Sequence, residues 1–209
     1  MTETAPQQDV TDAVRDAVKS GADVHQQVKD IILKALTTGH LDMDNIKKVT
    51  EAVGKGIAQG VAGQHEHAKE VFKQAATALD DTLAIAAEAS KLAIQEAAAK
   101  VSAHHDLNDA ANAIQDMERL FIDTLEKVAK GGSQVIAEVV NDFIDHSRRS
   151  GSAVGKQALI ALDALKDLPK TSTDILVSST AATASALAKI GGGILLGIAE
   201  SLQPSDSNK

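Results

Sequence analysis

Residues 67–99 read HAKEVFKQAAT, ALDDTLAIAAE and ASKLAIQEAAA when they are written in elevens. Phe72, Leu83 and Ile94 occupy the same place in each eleven, and alanines recur beside them. An eleven-residue period corresponds to about 3.67 residues per turn, so the apolar stripe runs nearly straight along an α-helix. The pattern predicts one long amphipathic helix over residues 65–103.

Helical periodicity continues toward the N-terminus. Residues 9–36 carry apolar side chains every three or four positions, and Gly21 is expected to bend or divide this region. The polar stretch TTGHLDMDN, residues 37–45, predicts a turn that ends in an Asp or Asn helix cap. A second helix is then expected over residues 44–62, although several glycines lower its helix propensity.

Toward the C-terminus the same periodicity predicts three more helical regions. Residues 108–149 suggest a long rod, loosened at Gly131 and Gly132, with a dense charged face opposite its apolar stripe. Residues 152–168 are expected to end at Pro169. The last region, residues 174–200, begins at Ser172 or Asp174.

No region alternates apolar and polar residues with the period of two that marks a strand, so the fold class predicted is all-α. We expect an elongated bundle of five or six long amphipathic helical segments without a sheet. Residues 9–202 form one helical domain in this interpretation. Residues 1–8 and 203–209 are polar and are expected to be disordered tails.

Composition excludes several classes of function. The net charge is −8 over 209 residues, which argues against a nucleic-acid partner because such proteins need a basic face. The absence of Cys removes disulfides, thiol catalysis and Cys-based zinc sites. Aromatic residues make up 1% of the chain, so its core must rely on Ala, Val, Ile and Leu. The polar, acidic N-terminus lacks a signal-peptide pattern and predicts a cytoplasmic protein.

Motifs for catalysis, cofactors and metals are missing from the sequence. No His follows a Glu by three residues, and the neighbouring histidines, His65 with His67 and His104 with His105, have spacings unsuited to one helix face. The segment SGSAVGKQ, residues 150–157, resembles a phosphate-binding loop only superficially, since its glycine spacing is one short and no Ser or Thr follows Lys156. We therefore expect a non-enzyme with no metal, no cofactor and no small-molecule substrate.

Small residues recur at a spacing of four. Gly56 and Gly60, Gly151 and Gly155, and Gly193 and Gly197 would each leave a flat groove on a helix where another backbone approaches closely. For the first two pairs, chance in a chain rich in Gly and Ala is an equally good explanation. The third pair is the strongest candidate because apolar side chains surround it: Ile190, Ile194, Leu195 and Ile198.

The C-terminal stretch over residues 174–200 is long enough to cross a bilayer, which takes about 20 apolar residues. Lys189 near its centre argues against a membrane span, because a central charge costs about 2.5–3.5 kcal/mol on insertion scales. Only residues 190–198 are strongly apolar. A helix packed in the bundle or inserted at an interface is favoured, and a membrane anchor stays as an alternative.

In character, residues 9–201 resemble bacterial phasins, which coat polyhydroxyalkanoate storage granules. The features that carry the resemblance are long Ala-rich amphipathic helices, an acidic body, no Cys and few aromatic residues. The eleven-residue register of Phe72, Leu83 and Ile94 is similar to the repeats of apolipoproteins and perilipins. The resemblance implies a non-catalytic, granule-associated or lipid-binding protein.

Two further hypotheses accompany this one. The chain would adsorb to a storage granule, lipid or membrane face by opening its bundle, would self-assemble as a homo-oligomeric scaffold, or would be a small membrane protein anchored by residues 174–200. The candidate surface- or partner-binding residues are the apolar stripes and the C-terminal patch: Phe72, Leu83, Ile94, Phe121, Leu125, Ile190, Gly193, Ile194, Gly197 and Ile198.

Overall fold

The computed structural model describes residues 5–38, 41–62, 67–100, 105–166 and 192–198. Within these ranges the chain is all-α and contains no strand, as predicted. Seven helices replace the five or six expected, and a short helical stretch over residues 192–198 follows them. The helices are α1 (Ala5–Ser20), α2 (Val24–Thr38), α3 (Met43–Val61), α4 (Ala68–Lys100), α5 (His105–Gly131), α6 (Gln134–Ser150) and α7 (Ala153–Lys166).

The starts of α1 and α3 follow from local sequence. Helix α1 begins at Ala5 rather than at the expected residue 9, because Pro6 is compatible with a first helical turn. Its residues 5–8 therefore belong to the helix and not to a tail. Helix α3 begins after Asp42, whose side chain accepts a hydrogen bond from the backbone N–H of Asn45 at 2.8 Å. The predicted Asp cap is confirmed.

Glycines divide two of the predicted regions. Gly21 has a φ of +67°, a conformation that favours glycine, and it separates α1 from α2 as expected. The region over residues 108–149, predicted as a rod loosened at Gly131 and Gly132, is two helices: α5 ends at Gly131 and α6 begins at Gln134. Ser133 caps α6 by accepting a hydrogen bond from the backbone N–H of Ile136. A serine cap directly after two glycines stops one helix and starts another.

Helix α4 lies at the centre and packs against each of the other six helices. Phe72, Leu83 and Ile94 are all buried, so the eleven-residue register marks the face of α4 that enters the core. Phe72 also meets Phe143 of α6 edge to face, with ring centroids 5.8 Å apart and planes at 87°. The remaining core is mainly aliphatic, and Ala contributes many of the contacts made by α4.

Two glycines of α3 allow α1 to approach closely. A Cβ on Gly56 would lie 2.7 Å from the backbone oxygen of Thr11, and a Cβ on Gly60 would overlap Val18. We call this contact the glycine seam. The small-residue groove predicted for Gly56 and Gly60 is confirmed. For Gly151 and Gly155 it is wrong, because Gly151 follows α6 with a φ of +77° and Gly155 lies inside α7.

Candidate functional site

Five of the predicted surface-binding residues lie in the closed core. Each is at most 2% exposed, so none of them forms part of the outer surface of the bundle. They reach an external surface only if helices separate. These residues are Phe72, Leu83 and Ile94 of α4 and Phe121 and Leu125 of α5.

The C-terminal candidates fall partly outside the described residues. Ile190 and most of the 174–200 stretch lie beyond them. In the helical stretch over residues 192–198, Ile194 and Ile198 pack half-buried against the core, while Leu195 between them is fully buried. Gly193 and Gly197 are exposed, and a Cβ on either would meet no described atom within 4 Å. Among the described residues this glycine pair therefore makes no close helix contact.

Large exposed apolar side chains lie late in the described chain. Leu159 is 70% exposed and Ile160 is 56% exposed, side by side on α7. We call these two residues the α7 patch. Val135 of α6 and Leu196 are the other members of this group in the described ranges. The sequence contains a signal for the patch, because ALIALDAL over residues 158–165 places large apolar residues next to one another, and neighbours on a helix point about 100° apart.

The inner side of α7 packs on α4 and α5 through small residues. Val154, Ala158 and Ala161 are buried there. The side chain of Gln157 donates a hydrogen bond to Glu88 of α4, which also pairs with Lys91 at 2.6 Å. The contact face of α7 therefore combines apolar packing with polar links to α4.

A carboxylate of α4 caps the N-terminus of α7. Asp80 accepts hydrogen bonds from the backbone N–H groups of Ala153 at 2.7 Å and Val154 at 2.9 Å. Ser152 accepts a third from the N–H of Gly155 at 3.0 Å. These bonds satisfy N–H groups that have no partner inside the helix, and the negative charge complements the helix dipole. We call this arrangement the α7 cap.

Asp80 is only 8% exposed, and this burial raises the pKa of its carboxyl group. The two backbone N–H donors act in the opposite direction, whereas the nearby charges of Asp81 and Glu118 raise the pKa further. Glu118 of α5 accepts a hydrogen bond from the Ser152 hydroxyl at 3.0 Å. A Cβ on Gly155 would overlap the Glu118 carboxylate, so any larger residue here would make the end of that side chain move aside.

A cleft of about 380 Å³ lies between α3 and α5. Gly54 and Thr124 both line it and lie close together, since a Cβ on Gly54 would lie 2.5 Å from the Thr124 methyl group. Beside that contact, the small residues of the two helices leave the cleft unfilled. The lining of the cleft is mainly apolar and includes Ala58, Val128 and Gly131, and an ion pair between Glu51 and Lys127 at 3.0 Å lies at its rim.

The described residues give no sign of a metal site or a membrane span. They contain no group of three or more His, Asp or Glu side chains placed to hold a metal ion. None of the helices in the same ranges combines the length and apolar character that a bilayer crossing requires.

The fold and the surface together define a helical bundle in which a carboxylate of α4 caps α7 and an apolar patch on α7 faces outward. A family model matches residues 1–204, and the chain belongs to that family, which is described as a family of unknown function (DUF6781). Searches of curated proteins and of solved structures find no match.

Proposed function

We propose that this protein is a non-catalytic helical bundle that associates with an uncharged hydrophobic surface, such as a storage granule or a lipid droplet. The observation that carries the proposal is the α7 patch, in which Leu159 and Ile160 project into solvent from a helix whose inner face is already packed. Exposed apolar side chains that adjoin one another, rather than being scattered singly, are typical of an interaction site. The granule surface implied by the resemblance to phasins stays a prediction.

Charge favours an uncharged surface over an anionic bilayer. The chain carries a net charge of −8, and the exposed residues next to the patch on α7 are one Lys and one Asp, Lys156 and Asp163. Binding to anionic lipids depends on clusters of Lys and Arg, which this face lacks. Burial of apolar side chains is then the main attraction available.

Attachment would proceed in two steps. The patch makes the first contact, and α7 then separates from α4 and α5, because its inner face holds mainly Ala and its N-terminus is fixed by a few hydrogen bonds. Separation would bring the buried stripes that include Leu83 and Phe121 to the surface. The glycine seam between α1 and α3 would stay closed.

Flotation with triolein emulsion droplets and with polyhydroxybutyrate particles tests the first step. Burying Leu159 and Ile160 is worth about 1.5–3 kcal/mol each, so the double variant Leu159→Gln/Ile160→Gln should bind at least tenfold more weakly. Val135→Gln is the matched control, since it removes an exposed apolar side chain from α6. A wild-type protein that stays wholly in the soluble fraction, or a double variant that floats as well as the wild type, contradicts the proposal.

Hydrogen exchange on the particles tests the second step. We expect the amides of α7 to lose protection on binding while those of α3 keep it, because local opening releases only the helix that separates. Equal protection of α7 in the free and bound protein would rule out the opening step and leave the patch as the whole contact.

Self-assembly is the second candidate function, because the α7 patch is equally suited to a copy of the same chain. Light scattering across a concentration series separates the two ideas. A homo-oligomer that dissociates in the Leu159→Gln/Ile160→Gln variant and never binds droplets favours the scaffold hypothesis. The membrane-anchor alternative concerns residues 174–200, most of which lie outside the described ranges.

A further inference from the structure

We propose that the cleft between α3 and α5 is a binding site for one aliphatic carboxylate of medium chain length. Its carboxylate group would lie beside Thr124, Lys55 and Lys127, and its hydrocarbon chain along Ala58 and Val128. This site is separate from the α7 patch, so the proposal does not depend on surface association.

The size and lining of the cleft indicate a ligand that is largely apolar. A volume of about 380 Å³ falls within the range of small-molecule sites in proteins, which are mostly apolar with a few polar groups. Ala58 is half-buried and Gly131 has no described atom within 4 Å of the position of a Cβ. Small residues at both positions leave the space open, whereas larger aliphatic side chains would close it.

Thr124 supplies the first polar feature. Its side chain is buried, and its hydroxyl oxygen has no hydrogen-bond partner among the described residues. Buried hydroxyl groups of helical Thr ordinarily donate to a carbonyl one turn earlier, as Thr82 does to Ala78 at 2.6 Å. A buried polar group without a partner costs about 1–3 kcal/mol. A ligand oxygen within reach after rotation of this side chain would remove that cost.

Positive charge at the rim is the second feature and selects a carboxylate. Lys55 is exposed at the edge of the cleft, and it makes no ion pair with any described residue. Lys127 pairs with Glu51 but is 63% exposed, and an ammonium group has further N–H donors. Lys55 and Lys127 lie within about one helical turn of the contact between Gly54 and Thr124, whereas Gly131 lies two turns beyond Thr124 on α5. The charged groups therefore lie toward one end of the cleft and the small residue toward the other. A ligand with one anionic end and one apolar end matches this arrangement.

Isothermal titration of the full chain with octanoate, below its micelle concentration, tests the site. We expect saturable binding of one molecule per chain. Hexanoate should bind about fourfold more weakly, the effect of one fully buried methylene, because the half-open cleft covers the two missing methylenes only in part. Octanol should bind more weakly than octanoate because it lacks the charge.

Two pairs of variants locate the binding. Ala58→Leu fills the cleft and should abolish binding, while Ala35→Leu at a similarly half-buried position of α2 should leave it unchanged. Lys55→Glu should weaken binding at least fivefold, and Lys34→Glu, at an exposed lysine of α2, should not. Circular dichroism confirms that each variant is folded. If Ala58→Leu does not fold, the variants at the exposed lysines still test the site.

A third variant addresses the hydroxyl group. Thr124→Val keeps the shape of the side chain and should weaken octanoate binding about threefold or more without lowering the melting temperature. The proposal is overturned if octanoate shows no saturable binding at millimolar concentration. It is also overturned if octanol binds as well as octanoate, or if Lys55→Glu and Lys34→Glu have the same effect.

Discussion

The glycine seam and the attachment of α7 are two ways in which the same Ala- and Gly-rich chain joins its helices. At the seam, Gly56 and Gly60 bring α3 against the backbone of α1, and Val14 and Val18 pack into the space. At α7, the inner face presents Ala158 and Ala161, and backbone N–H groups bond to a carboxylate of another helix. The first contact depends on the close fit of shapes, whereas the second adds polar bonds to its apolar packing.

The contrast indicates where the bundle is expected to open. When two closely packed helices such as α1 and α3 separate, they lose the van der Waals contacts along their whole interface together. Hydrogen bonds at a helix end can instead be exchanged for bonds to water, at a small net cost for each one. The outward side of α7 also carries exposed Leu159 and Ile160, whereas α1 and α3 expose no large apolar side chain in the described residues.

The largest effect is expected from breaking the seam. Gly56→Val would drive a branched side chain into the Thr11 carbonyl and the Val14 side chain, so α1 must move away. We expect a loss of about 3 kcal/mol in the free energy of unfolding, measured by urea denaturation followed by circular dichroism. Gly131→Ala is the control, since its Cβ meets no described atom, and it should be neutral or stabilising by up to about 1 kcal/mol. Equal effects of the two variants would show that close approach is unimportant.

Removing the α7 cap comes next in size. Asp80→Ala leaves the N–H groups of Ala153 and Val154 without their partner, and the unfolding free energy should fall by about 2 kcal/mol. Hydrogen exchange should show that the lost protection is confined to α7 and the helix faces beneath it. If protection is lost evenly through α1 and α3 as well, α7 does not open separately.

The pH dependence of stability sharpens the same contrast. Because the folded-state pKa of Asp80 is raised, the folded protein binds its proton more readily than the unfolded chain does. The contribution to stability is therefore fully present below the ordinary Asp pKa and is lost as the pH rises through the raised folded-state value.

Wild type and Asp80→Asn should be compared by urea denaturation between pH 4 and pH 7. As the pH falls, we expect the wild type to gain stability relative to the variant, which cannot take up this proton. Parallel stability curves would mean that Asp80 titrates in the folded protein as it does in the unfolded chain.

The smallest effect on stability is expected at the α7 patch. Leu159→Gln and Ile160→Gln replace exposed side chains, so each should change the unfolding free energy by less than about 0.5 kcal/mol. A loss above 1 kcal/mol in thermal or urea denaturation would indicate that the patch is covered in the free protein. Val135→Gln provides the reference for an exposed apolar residue on another helix.

Periodicity was sufficient to predict the helices but not their tertiary capping. The register of Phe72, Leu83 and Ile94 predicts a buried face because eleven residues complete nearly whole turns, and the structure buries all three side chains. The part of the α7 cap made by Asp80 has no local signature, because Asp80 and Ala153 are 73 residues apart and lie on different helices.

For the break between α5 and α6, the sequence predicts only a weakened point in one helix, because two adjacent glycines are compatible with either a bend or a helix end. Ser133 decides the outcome by capping the second helix. The cleft between α3 and α5 depends on how the two helices pack against each other, which the local sequence pattern does not reveal. The unpartnered hydroxyl of Thr124 is likewise visible only once neighbouring helices are in place.

The edge-to-face contact between Phe72 and Phe143 has a practical consequence for spectroscopy. The chain contains no Trp and no Tyr, so it has almost no intrinsic fluorescence above the weak phenylalanine signal. A single Phe143→Trp substitution would place an indole beside α4 at a half-buried position, against a background free of other emitters. Its emission maximum would report the separation of α6 from α4 directly, in a protein whose own chromophores cannot obscure it.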